Sequence, residues 1–175
     1  ICISCSEEKQ SFKYEIPMCE ECGLIQIDIS KRFHPKYNNP EINKITDKIY
    51  LGNADASRRK DILKNLGITH VLVTGAFLEC CFPDDFEYHQ IDIISSATLE
   101  ISKYFEESFK FMEKADRVFV HCAAGLHRSP TIVIGFLMKY NKQSFEEAFE
   151  FVKEKRSKIN PPTHYINQLK KIEEN

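Results

Sequence analysis

Residues 118–135 read VFVHCAAGLHRSPTIVIG: an apolar run, a loop of small residues carrying a cysteine, a glycine and an arginine, and a second apolar run. "RVFVH" at 117–121 is short and β-branched, which suits a buried strand, and "SPTIVIGFLMKY" is apolar almost all round, which suits a central helix. A buried strand feeding a central helix through a tight loop is a building unit of layered α/β folds. The other segments alternate in the same way. "KITDKIYLGN" (44–53), "ITHVLVTG" (68–75) and "FEYHQIDII" (86–94) have strand character. "ASRRKDILKNLG" (56–67) reads as a helix closed by Gly67, and "EISKYFEESFKFMEKA" (100–115) carries an apolar stripe at Ile101, Tyr104, Phe105, Phe109 and Met112. "SFEEAFEFVKEKR" opens with a capping box, Ser144 and Glu147, and "THYINQLKKIEE" closes the chain as a further helix. The alternation predicts an α/β fold with a mainly parallel central sheet and helices on both faces, with ligands bound beyond the carboxyl ends of the strands.

Charge and hydropathy narrow the partners. Lys+Arg 24 against Asp+Glu 26 leaves a net charge of −2, so no general basic field favours nucleic acid or an anionic membrane, and an anion site has to be local. No apolar run reaches the ~20 residues of a membrane span. The first residues, "ICISCSEEKQ", lack the layout of a secretory signal, and a cytoplasmic or nuclear setting is the expectation. Beginning at Ile1 rather than Met, the sequence reads as a fragment or a processed product.

Four of the seven cysteines, Cys2, Cys5, Cys19 and Cys22, form C-x2-C-x13-C-x2-C, the spacing of a four-thiolate metal site, with Gly23 suited to the left-handed turn of such a knuckle. The expectation is structural zinc; spacing alone also admits iron, and disulfides fit poorly with a thiol that has to stay reduced elsewhere in the chain. "LIQIDIS" (24–30) alternates like a short strand, so residues 1–31 read as a zinc ribbon, 32–43 as a linker and 44–175 as the main domain. Four protein ligands leave no open coordination position, so the ribbon is expected to be structural or to dock a protein partner. The adjacent Cys80 and Cys81 have no C-x2-C partner and read as packing or loop residues.

The remaining cysteine, Cys122, sits at the chemical centre of the opening stretch. Ala123, Ala124, Gly125, Leu126, His127 and Arg128 follow it and lead directly into a helix, where free backbone N–H groups and the positive end of the helix dipole suit an anion. Gly125 lets the loop curl, and Pro130 fits the first helical turn. Arg128 offers a planar fork for two oxygens of a tetrahedral dianion, and the same field lowers the pKa of Cys122 toward thiolate. Ser129 is placed to donate to the sulfur, and His121 reads as an orienting group rather than a base.

"HCAAGLHRS" matches the H-C-x5-R-S signature of the cysteine-dependent protein tyrosine phosphatases. "ITDKIYLGN", "LGITHVLVT", "RVFVHC", "SPTIVIGFLM" and "FVKEKRSKINPPTHYINQL" resemble successive segments of the dual-specificity branch, so the likeness covers about residues 44–172. The resemblance implies a phosphorylated protein substrate and a two-step reaction without a catalytic metal. Cys122 takes the phosphoryl group while an acid protonates the leaving oxygen, and water then releases phosphate. Phosphoinositide enzymes of the family resemble loops with lysines inside the x5 segment, and "AAGLH" has none, although His127 could add some positive charge.

The pattern breaks at the acid, since the family's aspartate position falls on Ser95 and the nearest aspartate is Asp92. Asp92 reaching the site through a distorted loop, substrates with good leaving groups that need no acid, and a phosphoprotein-binding adaptor with little or no catalysis are the three readings of that break. The basic runs "SRRK" (57–60) and "KEKR" (153–156) read as solvated helix ends that in this context flank the pocket.

Overall fold

The computed structural model describes residues 39–93 and 100–173. Strands β1 (Ile42–Lys44), β2 (Ile49–Gly52), β3 (His70–Thr74), β4 (Glu87–Ile91) and β5 (Val118–His121) form one sheet in the order β1-β2-β5-β3-β4. All pairs are parallel except β1 with β2. The innermost strand is β5, with Val118 opposite Ile49 on one side and His70 on the other, which accounts for its unbroken apolar run.

Two-residue periodicity divides the sheet between two cores. Ile49, Leu51, Leu72, Val118 and Val120 face one way, against apolar residues of α3 (Phe105–Lys114), α4 (Arg128–Asn141), α5 (Phe145–Lys155) and α6 (Thr163–Lys170). Tyr50, Val71, Val73 and Phe119 face the other, where Ala56 of α1 (Ala54–Ser57) and Leu63 of α2 (Lys60–Asn65) cover them. Helices therefore lie on both faces, as the alternation predicts. Every residue of α4 from Arg128 to Met138 is buried, consistent with its lack of a polar face. The capping box of α5 is present: Ser144 Oγ accepts from Glu147 N at 3.2 Å, and Glu147 Oε2 accepts from Ser144 N at 2.8 Å.

Three elements differ from the sequence pattern. The expected strand over 44–53 is the end of a hairpin, because Thr46 Oγ1 accepts from the amides of Lys48 (3.2 Å) and Ile49 (2.9 Å) and folds the chain back on itself. Two residues of the stretch read as linker, Ile42 and Asn43, lie in β1. The expected helix over 56–67 begins earlier, capped by Asn53 Oδ1 on Ala56 N at 3.0 Å, and is interrupted at Arg58 and Arg59. The helix over 100–115 opens with a 3-10 turn, Ile101–Tyr104. The ribbon residues Cys2, Cys5, Cys19 and Cys22, the first part of the linker and Ser95 lie outside the described residues. Among the described residues no helix is long and apolar enough to cross a membrane.

Parallel pairing sends the chain out of β2, β3, β4 and β5 at the same edge of the sheet. Asn53, Gly75, Asp92 and Cys122 each follow one of these strands, so four connections share that edge.

Candidate active site

Cys122 is 2% exposed. Its Sγ accepts the Gly125 amide at 3.2 Å and Ser129 Oγ at 3.3 Å. What makes the loop concave is visible on its outer side. Ala123 O accepts from Ala54 N at 3.0 Å, Leu126 O from Asn160 N at 2.8 Å, and His127 O from Thr131 N and Oγ1 at 3.2 and 2.7 Å. Ala124 O and Gly125 O accept from Arg156 Nη2 and Nε at 3.1 and 2.9 Å. A planar trans peptide points its carbonyl and the next amide in opposite directions. Tying the carbonyls of Ala123 to His127 outward therefore turns the amides of Ala124 to Arg128 toward the hollow over Cys122.

Gly125 has φ +69, and a Cβ on it would stand 2.3 Å from Gly52 O, so this turn excludes any side chain. Arg128 opens α4 and is 9% exposed, with Nη1 donating to Ile93 O at 3.0 Å. A Cβ on Gly75 would lie 2.6 Å from that Nη1, so the glycine leaves the room the guanidinium occupies.

These contacts set the charge state of the sulfur. Burial pushes the Cys122 thiol up. The Arg128 charge, the Ser129 hydroxyl and the amides of Ser129 and Gly125 together outweigh it and hold the pKa below the ordinary 9.0. The result is a sulfur stabilised as an anion beneath convergent donors and one guanidinium.

His121 is buried, and desolvation lowers its pKa to about 4, so it is neutral near pH 7. Its ring stacks on Phe119 with centroids 5.3 Å apart, and Nδ1 lies 3.4 Å from Cys122 O. The carbonyl of His121 is held by Thr74 Oγ1 at 2.8 Å. A neutral, packed imidazole facing backbone fits the orienting role read from the sequence. Partial burial and the neighbouring Arg128 charge lower the His127 pKa, which works against the positive charge it could add.

Asp92 is exposed, just beyond β4, and directly precedes Ile93, whose carbonyl anchors Arg128. Cys80 and Cys81 are half-buried and free, away from the donors that surround Cys122. Among the described residues no cluster of His, Cys, Asp and Glu is arranged to hold a metal ion.

The reading of "KEKR" as a solvated helix end fails at Arg156. That side chain is 2% exposed, and beyond its two bonds to the loop it reaches Asn43 Oδ1 at 2.7 Å and Glu41 Oε2 at 3.0 Å. Lys158 holds the other oxygen of Glu41 at 2.5 Å, and these partners lower the Glu41 pKa, the Lys158 hydrogen bond most. A signal was present in the sequence: Arg156 continues the i, i+4 row of Ala148 and Val152, both fully buried. In "SRRK", Arg59 pairs with Asp61 at 2.6 Å and Lys60 with Asp85, as surface groups.

Comparison with known proteins agrees with this geometry. Residues 49–175 match the family model of the dual specificity phosphatase catalytic domain. Dual specificity protein phosphatase 1-B of Xenopus laevis is 38% identical over 159 residues, covering 89% of this chain and 40% of that protein. Dual specificity protein phosphatase 1 of Arabidopsis thaliana is 34% identical over 86% of this chain and 77% of its own length. The chain thus spans less than half of the Xenopus relative and most of the plant one. Among solved structures, the human tyrosine phosphatase-like serine/threonine/tyrosine-interacting protein superposes with a TM-score of 0.72 at 27% identity, over 78% of this chain and 97% of that one.

Proposed function

The chain belongs to the dual-specificity phosphatase family, and on that premise we propose that it hydrolyses phosphotyrosine and phosphoserine or phosphothreonine in proteins through a phosphocysteine intermediate. The observation that carries the reading is a buried sulfur whose pKa is lowered by donors turned inward around it. In the first step Cys122 Sγ forms a bond to phosphorus as the bond to the substrate oxygen breaks, and that oxygen leaves with a proton from an acid. In the second step water attacks phosphorus, gives a proton to the same group, and the sulfur departs. Ser129, donating to Sγ, favours that departure. Arg128 and the amides of Ala124 to Arg128 neutralise the charge on the non-bridging oxygens throughout. Asp92 serves as the acid in this reading, supported by its place one residue from the carbonyl that anchors Arg128.

The proposal includes a structural zinc held by Cys2, Cys5, Cys19 and Cys22, supported by their paired spacing, with the ribbon as a docking surface for a protein partner. A reducing, cytoplasmic or nuclear setting follows from the need to keep Cys122 as a thiolate.

The test is hydrolysis of an aryl phosphate and of a phosphothreonine peptide by the native chain, Cys122→Ser and Asp92→Asn. Turnover is expected to vanish in Cys122→Ser, and equal rates for that variant and the native chain would overturn the reading. Asp92→Asn is expected to slow the peptide reaction by about 10²-fold or more while affecting a good aryl leaving group less; an intact peptide rate would remove Asp92 from the scheme. One equivalent of zinc per chain, lost in Cys19→Ser, is the expected result for the ribbon.

A further inference from the structure

We propose that Phe77 is a specificity-determining residue of this site, its ring packing against the ring of a phosphotyrosine seated over Cys122 and thereby favouring aromatic over aliphatic phosphoesters. The inference rests on the phosphatase reading above.

Position comes first. The turn Gly75–Leu78 leaves β3 at the sheet edge where Cys122 leaves β5, and it lies directly against Arg128. Ala76 N and Arg128 Nη1 donate to the same acceptor, Ile93 O, at 3.1 and 3.0 Å. Phe77 therefore follows directly on the residue whose amide shares an anchor with the guanidinium that receives phosphate.

The way Phe77 is held points to use rather than accident. Its φ is +63, a left-handed conformation that glycine or asparagine adopts easily and a bulky side chain rarely does. The turn enforces it: Gln90 Nε2 donates to Gly75 O at 3.2 Å and to Leu78 O at 2.8 Å, clamping both ends. Such strain persists where the surroundings over-determine it, and sites of recognition are where it gathers. Phe77 is also 51% exposed, the one large apolar side chain exposed among the described residues, whereas Leu78, Phe82 and Phe86 turn into the core below. A single exposed apolar residue is ordinary on a protein surface. One fixed on a clamped turn beside the phosphate-binding arginine has a geometric role open to it.

The chemistry selects the occupant. A phosphotyrosine ring stands between the phosphate in the cradle and the substrate backbone, level with the rim, and offers a face or edge to a neighbouring aromatic ring. Phosphothreonine has only a short aliphatic stem at that height.

The test compares kcat/KM for a phosphotyrosine peptide and a sequence-matched phosphothreonine peptide in the native chain, Phe77→Ala, Phe77→Asn and Phe77→Tyr. Asparagine suits the left-handed backbone but has no ring, and tyrosine retains the ring. The phosphotyrosine-to-phosphothreonine ratio is expected to fall about threefold to tenfold in Phe77→Ala and Phe77→Asn and to hold in Phe77→Tyr. An active enzyme whose ratio is unchanged in Phe77→Asn, or whose two substrates decline together, would overturn this inference alone. A native chain that hydrolyses neither peptide would overturn the phosphatase reading and this inference with it.

Discussion

Cys122 is more deeply buried than Cys80 or Cys81, yet its thiol is pulled down while theirs are pushed up. Burial by itself raises all of them, and it is the leading cause at Cys80 and Cys81. The difference lies in what faces each sulfur. Cys80 Sγ lies 3.7 Å from Gln90 Oε1 and Cys81 Sγ 3.6 Å from Glu79 O, with the Glu79 carboxylate raising both pKa values further; the Ser57 hydroxyl, 3.9 Å from Cys81 Sγ, and Arg58 pull Cys81 down without overcoming its burial. Cys122 meets donors and a guanidinium. A reactive thiol in this fold is made where donors and positive charge outweigh burial, and exposure is a poor guide to it.

The comparison can be broken most directly at Arg128. Arg128→Lys keeps a charge but loses the planar fork, and turnover is expected to fall about 10²- to 10³-fold, with iodoacetate alkylation of Cys122 slowing toward the rates of Cys80 and Cys81. Unchanged alkylation would show that the amides alone sustain the thiolate.

A smaller effect is expected from behind the loop. Arg156→Met removes the donors to Ala124 O and Gly125 O and leaves Glu41 with Lys158 as its remaining charged partner, at a cost of about 3 kcal/mol in urea unfolding. Slower alkylation of Cys122 in the folded variant would separate loss of loop geometry from loss of stability. Ser129→Ala, which removes one hydrogen bond to Sγ, is expected to cost about 10-fold in turnover.

The smallest effect sharpens the contrast. Cys80→Ser with Cys81→Ser is expected to leave turnover within about twofold, as surface changes away from the cradle do. The pH dependence has opposite placement in the two regions. Cys122 is reactive below pH 9 and loses reactivity as pH falls through its lowered pKa, whereas Cys80 and Cys81 become reactive only as pH rises beyond 9.0. Labelling of Cys80 ahead of Cys122 at neutral pH would contradict the contrast.

The legibility of this molecule follows the range of its interactions. α4 was readable because its burial leaves no polar face in its sequence, and the capping box of α5 because both partners lie three residues apart. The hairpin at β1 was not, since Thr46 folds the chain back within an apolar pattern that reads as one strand. Arg156 sits in a charged run, Lys153 to Arg156, that masks its helical phase with Ala148 and Val152. Phe77 gave no signal, since neither its left-handed φ nor its exposure is written in neighbouring residues.

By itself the sequence determined a cysteine and an arginine six residues apart between a buried strand and a buried helix, which places sulfur, loop amides and guanidinium on one short connection. Only the tertiary structure decided which way the loop faces. Ala54, Arg156 and Asn160 arrive from distant parts of the chain to hold its carbonyls outward, and nothing in the loop's own residues tells which remote segments will meet it.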